Sequence, residues 1–185
     1  MKPQLGFSLL ELTLSLAIIT LLAAISLPAL NDFYHHTQQK QLRSQLMHAI
    51  ELARHQALAQ ETSVALCKSD QGFICSNQAK NKLLIFINPN ADGVLTDKHQ
   101  LLFTLSLSTS QGNLHWRSFS SHRDYLVFSS QGTLQNDNGT FWYCANHTSF
   151  PVWAVIVNQS GRARYLEPNR QDKIIDGQGK QLKCE

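Results

Sequence analysis

The chain has 185 residues, a formal net charge of +3, 16% charged residues and four cysteines. Beyond the first thirty residues roughly 150 remain, enough for one soluble domain with a buried core. The mild basic balance permits an anionic partner without demanding one, because placement of charge matters more than its sum.

Met1 to Gly6 form a short polar leader with Lys2, and Phe7 to Leu30 form an almost wholly apolar run. As a helix, 24 residues reach about 36 Å, enough to cross a bilayer core of about 30 Å. Positive charge ahead of the run places the leader on the cytoplasmic side. Glu11 is the one charge inside it, and a carboxylate in hydrocarbon costs a few kcal/mol, so it reads as functional. A secretory signal would carry its small residues after the run; here Gly6 stands before it. The arrangement resembles the class III leader of type IV pilins and type II secretion pseudopilins. That resemblance implies cleavage between Gly6 and Phe7 by a prepilin peptidase and methylation of the new amino terminus. It also matches the family's glutamate to Glu11 and its proline to Pro28, both tied to filament assembly. In a fibre, Glu11 would be neutralised by a neighbouring subunit's terminal amine. Pro28 removes one backbone donor, so a kink or a melted turn is expected near residues 24–28.

From Asn31 to about Gln60 the residues Leu42, Leu46, Ala49, Ile50, Ala53 and Ala57 fall on one helical stripe. One long helix is therefore expected from Phe7 to about Gln60, its second half packed on a sheet. Lys40, Arg43 and Arg54 lie off the stripe, and His35, His36, His48 and His55 read as solvated helix-face residues rather than metal ligands. After Glu61 the pattern changes to short β-type runs. Expected strands are Thr62–Leu66, Leu83–Ile87, Leu101–Leu107, Leu114–Phe119, Tyr125–Phe128, Phe141–Cys144, Val152–Val157 and Arg162–Leu166. Turn signals such as Gln111-Gly112, Gln131-Gly132 and Asn138-Gly139 separate some of them. The fold class is α+β, the type IV pilin fold: a long N-terminal helix packed on antiparallel β-sheets. Its expected divisions are a cleaved leader (1–6), a transmembrane and filament-packing helix (7–30) and a globular domain outside the cytoplasm (31–185).

Cys67, Cys75, Cys144 and Cys184 follow the anchor, on the oxidising side of the membrane, where an even count favours disulfides. Of three possible connectivities we expect Cys67–Cys75, closing a short loop, and Cys144–Cys184, tying down the C-terminus. No pair has CxxC spacing, which argues against zinc. Asn88-Pro89-Asn90-Ala91-Asp92-Gly93 resembles a calcium loop, but position twelve is His99 where a bidentate glutamate is needed. A Pro/Asn/Gly turn accounts for it. No metal and no cofactor are implied.

Ala65-Leu66-Cys67, Cys75, Ile85–Gly93, Val127-Phe128 to Gly132, Cys144 and Val157–Arg164 together resemble the FimT/GspH branch of the family. Lys68 departs from the proline often found there. Gly161-Arg162-Ala163-Arg164 matches a GRxR pattern associated with DNA binding in FimT-like pilins of transformable bacteria. Gly161 allows a positive-φ turn, and an extended chain then sets Arg162 and Arg164 on one face about 6.6 Å apart. Two such forks suit phosphates. Tyr165 would face the core. Arg170, Lys173, Arg117 and Arg123 are candidate extensions of the patch. No helix-turn-helix, GxSxG, HExxH or P-loop signature is present, so no enzymatic activity is expected.

The resemblance thus implies a minor pilin that holds exogenous DNA non-specifically during natural transformation. Its partners would be DNA, other pilins, the prepilin peptidase and the inner membrane, and its final place the surface pilus, near the tip. The alternative is a structural minor pilin or GspH-like pseudopilin that primes fibre assembly and binds only protein. An adhesin would expose Phe141-Trp142-Tyr143 and Trp153, which within strands belong to a core.

Overall fold

The computed structural model describes residues 8–70, 74–79, 82–107, 112–119, 123–135, 138–146, 148–171 and 173–184, without the side chains of 28, 29, 31 and 32. The chain divides into two compact units, 1–41 and 42–185. The helix α1, Leu9–Ala59, belongs to both. The division falls where the buried stripe of α1 begins, eleven residues beyond the end of the apolar run.

In the first unit the apolar side chains of α1 are exposed, and Leu9–Leu27 is long and apolar enough to cross a membrane, with mean hydropathy 2.2. Its hydroxyls are turned back onto the helix. Thr13 donates to the Leu10 carbonyl, Ser15 to Leu12 and Thr20 to Ala17, each at 2.9 Å, and Ser26 to Leu22 at 2.7 Å. Such back-bonding hides polar groups in a medium without water. The backbone does not melt at residues 24–28, which remain helical. Proline deletes one amide donor, and the bonds of the neighbouring turns hold the helix across the gap.

Among the described residues the second unit holds eight strands: β1 Val64–Ser69, β2 Lys82–Ile87, β3 Leu101–Ser106, β4 Gly112–Ser118, β5 Tyr125–Phe128, β6 Gly139–Ala145, β7 Trp153–Val157 and β8 Ala163–Leu166. They form two antiparallel sheets, β3-β2-β1-β5 and β4-β6-β7-β8. The helical stripe Leu42, Leu46, Ala49, Ile50, Ala53 and Ala57 is buried, and the same core takes Leu66, Ile85 and Phe128 from the first sheet and Trp116, Phe141 and Val155 from the second. Each large side chain fully buried here contributes about 1.5–3 kcal/mol. The other face of each sheet carries a smaller cluster: Ala65, Phe86 and Val127 with Leu95 on the first, and Ala154 with Ile174 and Leu182 of the C-terminal segment on the second.

All eight expected strands are present: Tyr125–Phe128 matches at both ends, and the ends of the others differ by at most three residues. A short 3-10 helix, Lys98–Gln100, has no counterpart in the expectations; Asp97 caps it by accepting from the His99 amide at 3.0 Å. The Cys67–Cys75 and Cys144–Cys184 disulfides are both formed, and no cysteine is free.

Candidate functional site

The hairpin between β7 and β8 is built by Asn158. Its carbonyl accepts from the Gly161 amide at 2.9 Å, its amide donates to the Arg162 carbonyl at 3.1 Å, and its side-chain oxygen accepts from the Arg162 amide at 2.9 Å. Gly161 closes the turn with φ +76°, a region L side chains avoid. A Cβ at Gly161 would lie 2.4 Å from the Gly132 carbonyl oxygen, so this position needs glycine twice over.

The Gly161 turn is fastened to the segment after β5. Leu134 donates its amide to the Gln159 carbonyl at 3.0 Å, and the Gln159 side chain returns a bond to the Leu134 carbonyl at 2.7 Å. From the helix, Arg54 Nε donates to the Gly132 carbonyl at 2.9 Å.

Beyond the turn, β8 is an edge strand, paired among the described residues only with β7. Ala163 and Tyr165 turn towards the core shared with α1, and Leu166 towards the outer cluster. Arg162 and Arg164, at alternate positions, share the outward face and are both exposed. Among the described residues neither side chain meets a carboxylate. The Tyr165 hydroxyl donates to Glu167 at 2.9 Å, and burial is the first cause that pushes this phenol above its usual value. The Arg43 guanidinium lies 4.0 Å from the centre of the Tyr165 ring.

The other basic candidates separate. Arg117, Thr140, Ile156 and Arg164 stand on one rung across the second sheet. Three strand spacings therefore set Arg117 and Arg164 roughly 14 Å apart. Arg117, however, is bound to Asp176, whose carboxylate is fully buried and also accepts the Gln178 and Lys180 amides at 2.9 Å each. Arg123 sits beside β5 of the first sheet, 5.6 Å from the Tyr125 ring centre, and does not join β8. Arg170 and Lys173 lie in a turn after β8, organised by Asn169; Arg170 is exposed and Lys173 half-buried. Gly6 and Phe7 lie outside the described residues. Glu11 is exposed in the first turn of α1, its amide bonded to Ser8 Oγ at 3.2 Å.

Two arginines that the sequence placed only off the apolar stripe, Arg43 and Arg54, thus lie against β8 or its turn. Their spacing of eleven was the available signal, because three helical turns return to the same side.

Among the described residues no three His, Cys, Asp or Glu side chains converge as metal ligands. In the 88–93 loop the candidate oxygens serve the loop itself. Asn88 Oδ1 accepts from Gly93 at 2.9 Å, and Asp92 Oδ1 accepts from Asn88 at 2.8 Å and Val94 at 2.9 Å. These bonds hold the Asp92 carboxyl below its usual value.

An apolar N-terminal helix that continues into a two-sheet domain and packs its second half there is the type IV pilin fold. The same architecture is found in the type IV minor pilin FimU of Pseudomonas aeruginosa, which is 20% identical, with TM-score 0.54 over 74% of this chain and 92% of that one. E. coli GspH (14% identical, TM-score 0.45, 71% and 89% covered) and the Vibrio cholerae type 2 secretion minor pseudopilin EpsH (15%, 0.45, 71% and 98%) are also similar. The family model described as type II transport protein GspH matches residues 43–161, and that of the prokaryotic N-terminal methylation motif matches 1–27. The chain belongs to the GspH family and carries a single-pass membrane anchor of the pilin kind. No curated protein sequence matches it.

Proposed function

We propose that this chain is a FimT-like minor pilin that holds exogenous DNA, without reading its sequence, through Arg162 and Arg164 during natural transformation. The observation that carries the reading is the exposed Arg162/Arg164 pair on the outward face of edge strand β8, set by the Gly161 turn. Guanidinium forks suit phosphate oxygens. Contacts to phosphate alone give weak, salt-sensitive binding to any sequence. Cleavage after Gly6 and methylation at Phe7 would release the subunit into the fibre, with Glu11 satisfied by a neighbour's amine. Several subunits, or several pilins on one fibre, would raise a weak grip by avidity. The subunit is read as a structural part of the fibre, not an enzyme.

The test is DNA binding by the full chain in detergent across a salt series, beside the Arg162→Gln/Arg164→Gln variant. Affinity that falls with salt and is largely lost in a folded double variant supports the reading. No binding at low salt moves the protein to the assembly role, in which the arginines meet a pilin neighbour. Mass spectrometry of the chain from a pilus-forming host should find Phe7 as the methylated terminus.

A further inference from the structure

We propose that the DNA site is two-sided, with Arg43 and Arg54 of α1 forming a second row of phosphate contacts along the opposite border of β8. The proposal rests on the DNA-holding reading of Arg162 and Arg164.

Four guanidinium groups border this one edge strand. Arg162 and Arg164 project from its outward face. On its helix-facing side Arg43 covers Tyr165, and Arg54 bonds the Gly132 carbonyl against which Gly161 packs; the Arg54 Cδ is 3.4 Å from the place a Gly161 Cβ would take. Arg43 therefore marks the far end of β8 and Arg54 the near end. The lengths agree. Eleven helical residues span about 16 Å, and the four strand steps from Gly161 to Tyr165 about 13 Å, so α1 and β8 run side by side in opposite directions.

The charge of the helix row is not spent. Arg54 uses Nε on a neutral carbonyl, and the Arg43 plane lies over a neutral ring, so neither interaction cancels a positive charge. Arg43 and Arg54 are both partly exposed. Two carboxylates are near: Glu167, which accepts from the Tyr165 hydroxyl, and the exposed Glu51, one helical turn before Arg54. Among the described residues neither forms an ion pair with these arginines. Among the described residues β8 has no second strand partner, so its free edge lies between the two rows. A phosphate backbone laid along that edge meets cations on both sides. Both helix arginines are also held in place, which lowers the side-chain entropy lost on binding.

The experiment is the salt dependence of duplex DNA binding by the full chain in detergent. Each lost phosphate contact lowers the slope of log K against log salt by about 0.9. Arg43→Gln/Arg54→Gln should lower the slope by about 1 to 2, while Arg43→Lys/Arg54→Lys, which keeps the charges, should retain it. Should the glutamine pair fail to fold, each single glutamine variant is expected to lower the slope by about 0.9. A wild-type slope in the folded glutamine variants overturns the two-sided site alone, provided Arg162→Gln/Arg164→Gln still abolishes binding. A lysine variant that loses the slope as the glutamine variant does also overturns it, because the arginines would then act only by positioning β8. A wild-type chain that does not bind DNA at low salt overturns the underlying reading and this proposal with it.

Discussion

Gly161 and the carbonyl of Gly132 approach so closely that a methyl group at residue 161 would sit 2.4 Å from the oxygen. The same oxygen accepts the bond from Arg54, so helix, β5 turn and β8 turn meet at one atom. Gly161→Ala must therefore strain φ and push the two turns apart. We expect a loss of about 1–3 kcal/mol, read as a fall of several degrees in Tm. DNA affinity should fall with it. A variant as stable as wild type would show that the turn closes another way.

The two disulfides should differ in worth. Cys67–Cys75 spans 8 residues and Cys144–Cys184 spans 40. Loop-closure entropy makes the longer bridge about 1.4 kcal/mol more stabilising. It also binds the C-terminal segment, whose Ile174 and Leu182 cover the outer face of the second sheet. Urea unfolding of Cys144→Ala/Cys184→Ala should show the larger loss, about 2–4 kcal/mol. Equal midpoints for the two double variants would contradict this ranking.

Much of the architecture was legible because its signals are local. The apolar run announces the anchor, the stripe from Leu42 to Ala57 announces the packed helix, and turn residues bracket most strands. What escaped depends on sheet order. Arg117 reads as a free cation until Asp176, 59 residues away in sequence, is folded beneath it. Arg43 and Arg54 read only as residues off the apolar stripe until β8 is laid beside the helix. Lys68 lies in a strand whose two faces are both covered, which no alternation of side chains announces. The turn at Gly161 was legible from its glycine, but its contact with Gly132 was not.

Lys68 is 3% exposed, and its Nζ donates to the Asn77 carbonyl and, at 2.5 Å, to that of Leu114 on the second sheet. Burial lowers its pKa from 10.5 to about 8, opposed by the charges of Asp124 and Asp70. The unfolded chain therefore binds more protons than the folded one between about pH 8 and 10.5, so stability rises with pH across that window. The shift corresponds to roughly 3 kcal/mol, a penalty fully present below pH 8 and removed as pH approaches 10.5. A neutral amine still has two N–H donors for the two carbonyls, so the tie between the sheets survives deprotonation. Urea midpoints between pH 7.5 and 10 should rise for wild type relative to Lys68→Met, which lacks this titration. A difference that stays flat, or falls, would refute the assignment.

Arg117 and Arg164 share a rung of the second sheet, yet their replacement should have opposite consequences. Arg164 is exposed, so Arg164→Gln should leave unfolding stability within about 0.5 kcal/mol of wild type while weakening DNA binding. Arg117 neutralises the buried Asp176 carboxylate, which also holds the 176–180 turn. Arg117→Gln leaves that carboxylate with two amide donors and no cation. The expected loss is about 3 kcal/mol, at the low end for broken buried pairs because the guanidinium keeps a side to water. Adding Asp176→Asn to Arg117→Gln should restore part of the loss, since the uncompensated charge is then removed and the amide oxygen still accepts from the turn. Salt dependence of DNA binding should be nearly that of wild type in this double variant. If instead the slope falls by about 0.9 while stability is restored, Arg117 reaches phosphate despite its bond to Asp176, and the phosphate-binding surface extends across the sheet from β8 to β4.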